Sequence, residues 1–292
     1  MSASRPTGLS QVTSLDPWDD AYEQLGLSGE VELAGIGYLA WPFDLFSVRN
    51  LSLITQAHEV CDRLVVGVFS DTDLAAAMGI DPVTPARDRR AILRRVRGVD
   101  KVVRHATTEL DAGDDLVVLA PAGSNLNGVP VGRYLEPLPA RSPASTAPPA
   151  TPRLPGQVVG YVPGAWDMFH VGHLNILLRA REFCDYLVAG AVTDEALLAA
   201  KGHLPVVKLA DRARILRHLD FVDDVVIDYS SDKTEVWRAH PFDVLFKGDD
   251  WLGTPKGDRL VQQMATVNAP VHFFPYTKET SSTLLRSLMN AR

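Results

Sequence analysis

The stretch Gly164-Ala165-Trp166-Asp167-Met168-Phe169-His170-Val171-Gly172-His173 follows an apolar run, Gln157 to Val162, and leads into a helical pattern from about Gly172 to Phe183. Strand, tight turn and helix in that order open a parallel α/β unit. The turn falls where such a sheet presents its ligand crevice. A helix starting there directs free backbone N–H groups and its positive dipole end toward an anion. Gly172 leaves room for a phosphate at the backbone, and His170 and His173 supply donors, so the stretch reads as a polyphosphate cradle. His-x-x-His spacing also occurs in zinc sites, but no third and fourth ligand stands near.

Shifted by 123 positions, the chain repeats. Residues 37–103 match residues 160–226 at 29 of 67 positions without a gap. A period of this length is that of a domain, not of a solenoid. The copies part sharply at the cradle, where the first reads Trp41-Pro42-Phe43-Asp44 followed by Phe46-Ser47-Val48-Arg49-Asn50. Cys61 and Cys184 are the only two cysteines and fall at equivalent positions, each before Asp and an apolar run, which predicts burial in separate cores and no disulfide.

Working outward, Val31 to Gly35 and Leu64 to Phe69 read as strands of the first copy, with a helix through Leu51, Ile54, Ala57 and Val60. The second copy adds strand Tyr186 to Val192, helix Asp211 to Leu219, strand Val225 to Ile227, a helix around Thr234 to Ala239, and strands Val244 to Lys247 and Val271 to Phe274. Alternation of this kind implies an α/β protein with two doubly wound, parallel, Rossmann-like sheets. Residues 1–29, rich in Ser, Thr and Asp, read as a flexible arm. Residues 30–135 form the first domain, the Pro/Ala/Ser-rich stretch 136–156 a linker, and residues 157–292 the second domain.

The chain has 36 acidic and 29 basic residues, a net charge of −7, and no block of like charge. That is not the footprint of a nucleic-acid binder. Met1 to Asp20 carries no apolar core run, and no stretch approaches a bilayer span, so membrane insertion is not expected and a soluble, cytoplasmic protein is.

The cradle resembles the signature of the cytidylyltransferase-like nucleotidyltransferases. Lys201-Gly202-His203-Leu204-Pro205-Val206 followed by Asp211-Arg212 looks like that family's Lys-Gly-x-x-Pro-Val loop and acidic-Arg pair. Lys247-Gly248-Asp249-Asp250-Trp251 resembles the Gly-Asp-Asp-Trp stretch of glycerol-3-phosphate cytidylyltransferases. The resemblance implies a nucleoside triphosphate, CTP by the last motif, bound with Mg2+ that has no direct protein ligand. A small phosphorylated alcohol would attack the α-phosphorus and expel pyrophosphate.

On this basis His170, His173 and Lys201 would stabilise the transferred phosphoryl group. Gly164, Ala165, Trp166, Asp167, Gly172, Arg212, Gly248, Asp249, Asp250, Thr277, Lys278, Ser281, Ser282 and Thr283 would bind nucleotide, and Trp251 and Lys208 the acceptor. One departure stands out: where relatives carry an Arg before Thr-x-Gly-Ile-Ser-Thr-Thr, this chain has Tyr276-Thr277-Lys278-Glu279-Thr280-Ser281-Ser282-Thr283, leaving open whether Lys278 takes its place.

In the first copy Met78 stands for Lys201, and Ala120-Pro121-Ala122-Gly123 stands roughly for Gly-Asp-Asp-Trp. Three parts of one site are gone while the core pattern is kept. The first half is therefore expected to be inactive; the family resemblance implies that it is a built-in partner in a pseudo-dimer, with Arg97 expected to reach the shared interface. Glycerol-3-phosphate is the expected acceptor. Ethanolamine phosphate, a phosphonate or another polyol phosphate stay open, as do a non-catalytic nucleotide-binding scaffold and further association into a homo-oligomer.

Overall fold

The computed structural model describes residues 34–105, 116–121, 132–135, 148–275 and 280–290. The first half contains β1 (Ala34–Ala40), α1 (Val48–His58), β2 (Cys61–Val68), α2 (Asp71–Met78), α3 (Ala86–Leu93), β3 (Lys101–Arg104), β4 (Leu116–Pro121) and β5 (Arg133–Leu135). The second contains β6 (Val159–Gly164), α4 (Val171–Arg181), β7 (Tyr186–Val192), α5 (Asp194–Lys201), α6 (Leu209–Arg217), β8 (Asp224–Asp228) and α7 (Lys233–Ala239). It continues with β9 (Val244–Gly248), a 3-10 turn (Asp249–Trp251), α8 (Pro255–Ala265), β10 (Val271–Phe274) and α9 (Ser282–Asn290).

Each half builds one five-stranded parallel sheet, in the orders β3-β2-β1-β4-β5 and β8-β7-β6-β9-β10. The two orders are the same topology, as the repeat requires. Strand order reverses between β1 and β4, and between β6 and β9. Ligand crevices of doubly wound sheets open at such a point, beyond the carboxyl ends of the strands.

Local chemistry repeats as closely. Ser70 and Thr193 cap α2 and α5 by accepting from the N–H of Asp73 and Ala196, and both helices end on a left-handed glycine, Gly79 at φ 72° and Gly202 at φ 76°. The turn after β1 holds Phe43 and Leu45 at φ 51° and 53°; the turn after β6 holds their equivalents, Trp166 and Met168, at φ 56° and 49°. Cys61 and Cys184 are free thiols donating to the carbonyls of Ala57 and Ala180.

Several boundaries differ from the sequence reading. Within the described residues the first strand continues from Ala34 to Ala40 instead of ending at Gly35. β6 lies two residues later than expected, and α6 starts two residues earlier. Lys201, expected in a loop, is the last residue of α5. The arm lies outside the described residues, as do residues 136–147 of the linker. The rest of the linker lies along the second half: Thr151 N–H donates to Asp223 O (2.8 Å) and Tyr186 Oη to Thr151 O (2.7 Å).

The halves meet about a pseudo-two-fold axis. Val96 and Leu219, equivalent under the 123-residue shift, form an antiparallel bridge. Arg97 N–H donates to His218 O (2.8 Å) and Asp220 N–H to Arg95 O (2.9 Å), and the same shift exchanges these two bonds. α3 packs on α4, and α1 on α6, again a pair exchanged by the axis. This is the self-complementary geometry of a two-fold dimer written into one chain. One apolar cluster crosses the interface, from Leu51, Ile54, Leu93 and Val96 to Leu174, Leu177, Leu216 and Leu219.

Candidate functional site

The carboxyl ends of β6 and β9 frame the site. β6 ends at Gly164, where a Cβ would meet the Trp166 ring at 2.6 Å, so the folded-back indole requires glycine. Trp166 is anchored by Nε1 donating to Gly190 O (2.7 Å). The turn then delivers His170 as the N-cap of α4, its Nδ1 accepting from Gly172 N–H (3.1 Å). A Cβ on Gly172 would press on His170 at 2.9 Å, so this glycine first makes room for the imidazole.

The His170 and His173 rings stack, with centroids 3.8 Å apart and planes 23° off parallel, and the Trp166 edge abuts His173 at 5.3 Å. Burial pushes His170 down to about 4. Burial also holds His173 well below the usual imidazole range, with His170 and Lys201 nearby adding to the effect. Both rings are therefore neutral at pH 7. Since His170 Nδ1 accepts, its proton sits on Nε2, 3.4 Å from Ser282 Oγ. That hydroxyl donates to Asp167 O (2.7 Å), tying α9 to the turn. His173 Nδ1 is buried without a hydrogen-bond partner.

An inner cavity of about 260 Å3 brings together Gly164, Ala165, Trp166, His170, Gly172, His173, Lys201, Gly248, Asp250, Trp251, Ser281, Ser282 and Thr283. A chamber of about 710 Å3 shares Lys201, Lys247, Asp250 and Trp251 with it and adds Lys233, Lys256 and Arg259. A cleft of about 300 Å3 adds Asp167, His203 and Arg286. Thirteen of the residues expected from the sequence thus line one cavity.

Others fall elsewhere. Arg212 is 0% exposed and stands in none of these walls. Its guanidinium donates to the carbonyls of Val207 and Ala165 and pairs with Asp194. Arg89, its equivalent, is 2% exposed and does the same with Thr84 O, Pro42 O and Asp71. An arginine that both halves hold in the same way braces the turn, and Arg212 lies behind the walls of these cavities. Asp167 is braced likewise, accepting from the N–H groups of Val206 and Val207 as Asp44 does from those of Val83 and Thr84. Unlike Asp44, it also meets Arg286 at 3.0 Å.

Lys208 precedes α6 on the exposed surface, and Asp249 is exposed off the cavity wall. Thr277 and Lys278 lie outside the described residues.

Sequence reading missed Lys247, Lys233 and Arg286 as site residues. Lys247 Nζ donates to Pro163 O (3.1 Å) and sits 4.3 Å from the centroid of the Trp251 ring. Burial, with Lys233 close by, brings its ammonium down to about 8. Lys233 Nζ binds both Asp228 oxygens (2.6 and 2.7 Å), and Tyr161 Oη donates to the same carboxylate (2.8 Å). Strand register was the available signal for Lys247, since β4 offers Ala120 at the position β9 fills with it.

Among the described residues of the first half, the start of α1 carries different side chains from the cradle. Asn50 Oδ1, where His173 would stand, accepts from Ser47 N–H (2.9 Å) and lies 3.2 Å from Ser47 Oγ, so the replaced side chains bond each other at the helix start. Among the described residues no helix is long and apolar enough to cross a membrane.

The profile of the cytidylyltransferase-like family matches residues 42–129 and 161–288, one match per half. Ethanolamine-phosphate cytidylyltransferase of Arabidopsis thaliana is 28% identical over 270 residues, 65% of this chain and 64% of its own length. The protein of the same name from Dictyostelium discoideum is 27% identical over 284 residues, 73% of this chain and 78% of its own. Bifunctional protein HldE of Paramagnetospirillum magneticum is 41% identical over 112 residues, 38% of this chain and 23% of its own. The chain thus spans just under two thirds of the Arabidopsis relative and about a quarter of the Paramagnetospirillum one. With both sheets, both turns and both matched segments in register, the chain belongs to the cytidylyltransferase-like family, as a tandem of two such domains.

Proposed function

We propose that the second half transfers CMP from CTP to a small phosphorylated alcohol, releasing pyrophosphate, and that the first half is a catalytically silent partner. The observation that carries this reading is the stacked His170–His173 pair at the start of α4, facing the same cavity as Lys201 and the Ser281-Ser282-Thr283 start of α9. Two helix starts, two neutral imidazoles and an ammonium suit a triphosphate.

An acceptor phosphate oxygen attacks the α-phosphorus as the bond to the β-phosphate breaks. His170, His173 and Lys201 meet the charge that builds on the phosphoryl oxygens, and positioning supplies the rest. Asp250 is the carboxylate on the inner cavity wall, and no group of three His, Cys, Asp or Glu side chains clusters among the described residues. That donor set suits Mg2+ carried in on the triphosphate, where it would neutralise phosphate charge, rather than a protein cage.

Gly248-Asp249-Asp250-Trp251 favours CTP and glycerol-3-phosphate. Ethanolamine phosphate is the second reading, favoured by the activity named for the tandem relatives. Pyrophosphate release with CTP and ATP, each against a panel of phosphorylated alcohols, tests the reading. CTP-dependent release with at least one acceptor is expected, and silence with every pair would overturn it.

A further inference from the structure

Lys247 is not part of the turn, the helix start or the Lys-Gly loop that define the cradle, yet it borders both the inner cavity and the larger chamber. Its ammonium is fixed on one side by the Pro163 carbonyl at 3.1 Å and on the other by the Trp251 ring at 4.3 Å. An amino-alcohol phosphate presents an ammonium of its own. Proteins recognise such a group with an open aromatic face, a free carboxylate, or both. Here the Trp251 face is already covered by a cation belonging to the protein.

Asp228, a fully buried carboxylate behind the chamber, is engaged as well, and Asp250 is the carboxylate that lines it. Asp228 holds Lys233 through both oxygens and accepts from Tyr161. Around the chamber stand Lys201, Lys233, Lys247, Lys256 and Arg259, with Asp250 as the one acid among the described residues of its wall. A positive ligand entering this chamber meets like charge on several sides. A phosphate with neutral hydroxyls meets attraction, and a hydroxyl can accept from these cations as well as donate to Asp250, whereas an ammonium can only donate.

Resting on the transferase reading above, we propose that Lys247 is a specificity-determining residue. By covering Trp251 with the protein's own ammonium, it excludes zwitterionic amino-alcohol phosphates and reserves the acceptor site for phosphorylated polyols that carry no cation. Discrimination then comes from a repulsive element as much as from contacts to the favoured acceptor.

The test is kcat/KM for glycerol-3-phosphate and ethanolamine phosphate with the wild-type chain and with Lys247→Met, which keeps an unbranched apolar stem against Trp251. The wild type is expected to favour the polyol phosphate by at least about tenfold, one like-charge contact's worth. Lys247→Met is expected to lower polyol turnover, raise ethanolamine-phosphate turnover and shrink the ratio. A wild-type preference for ethanolamine phosphate, or an equal loss for both acceptors in the variant, would overturn the assignment of Lys247 while leaving the transferase reading standing. No pyrophosphate from CTP or ATP with any acceptor would overturn that reading and the proposal with it. Should Lys247→Met not fold, the wild-type ratio alone decides.

Discussion

Arg97 of the first half reaches across the pseudo-two-fold axis to the end of α6, donating through Nη2 to Val222 O at 2.9 Å and through Nε to Arg217 O at 3.3 Å. Its own N–H donates to His218 O at 2.8 Å. These carbonyls belong to the last residue of α6, its C-cap and the segment that follows, and Arg212 of α6 braces Ala165 in the turn that carries the histidines. The first half therefore holds an element on which the candidate site stands. The equivalent position in the second half holds Asp220, which returns the backbone bond to Arg95 O and pairs with the Arg95 side chain at 3.5 Å instead of reaching the carbonyls that Arg97 reaches.

Arg97→Ala removes the side-chain donor from two interface carbonyls and is expected to cost about 1–3 kcal/mol, together with a lower kcat/KM. Urea unfolding and steady-state kinetics on the same preparation measure both. Unchanged stability and unchanged kinetics would show that this contact supports nothing.

His173→Ala is expected to leave a folded chain whose turnover falls by roughly a hundred- to thousandfold, the usual loss for one donor facing a developing oxyanion. The fold should survive because Leu174 and Leu177, on the same helix, remain in the core. Circular dichroism and pyrophosphate release measure the two parts separately, and substantial retained turnover would remove His173 from the mechanism.

Acid should weaken the fold over a defined window. His170 titrates near 4 in the folded chain, and burial lowers His173, His105 and His218 as well. Unfolded imidazoles titrate near 6.5. Between about 6.5 and 4 the unfolded chain binds more protons, so the contribution of these rings is complete above about pH 6.5 and lost as pH falls toward 4. For His170 alone this amounts to about 3 kcal/mol. Urea midpoints at pH 7, 5.5 and 4.5 should fall in that order, and His170→Gln should flatten the slope; a slope the variant leaves unaltered would contradict the assignment.

The fold was legible because the repeat is gapless and its strands are apolar runs buried between helices. α2 and α5 escaped notice for a physical reason. Each is one short helix burying a single leucine, Leu74 or Leu197, which leaves no stripe to detect. At the candidate site, His170 and His173 stand out because their chemistry breaks the repeat, and Lys201 through the family resemblance of its loop. Arg212 and Asp167 have counterparts, Arg89 and Asp44, in the other half, so both brace the turn in each copy, while Asp167 also borders a cleft. Lys247 hid inside a strand, where only the sheet register reveals that it reaches a cavity.

Nucleotide stoichiometry follows from the cap in the first half. Ser47 and Asn50 bond each other where His170 and His173 would stand, Arg49 fills the glycine position, and Met78 replaces the lysine. Isothermal titration with a non-reactive CTP analogue should give one site per chain, and Lys201→Met should weaken it. Two equivalent sites, or a site that survives every change in the second half, would overturn the silence of the first.

Arg89 and Arg212 supply the sharpest separation of brace from site. Each spans a turn carbonyl, a second carbonyl beyond the Pro-Val segment and an aspartate at the start of the preceding helix. Arg89→Ala and Arg212→Ala both strand buried carbonyls and should each destabilise the chain by about 2–4 kcal/mol. Lys201→Ala, at an exposed helix end, should leave the unfolding midpoint nearly unchanged while removing most turnover. A stable Arg212→Ala chain with selectively lost nucleotide binding would restore that arginine to the site, whereas equal destabilisation by both arginine variants fixes it as part of the frame.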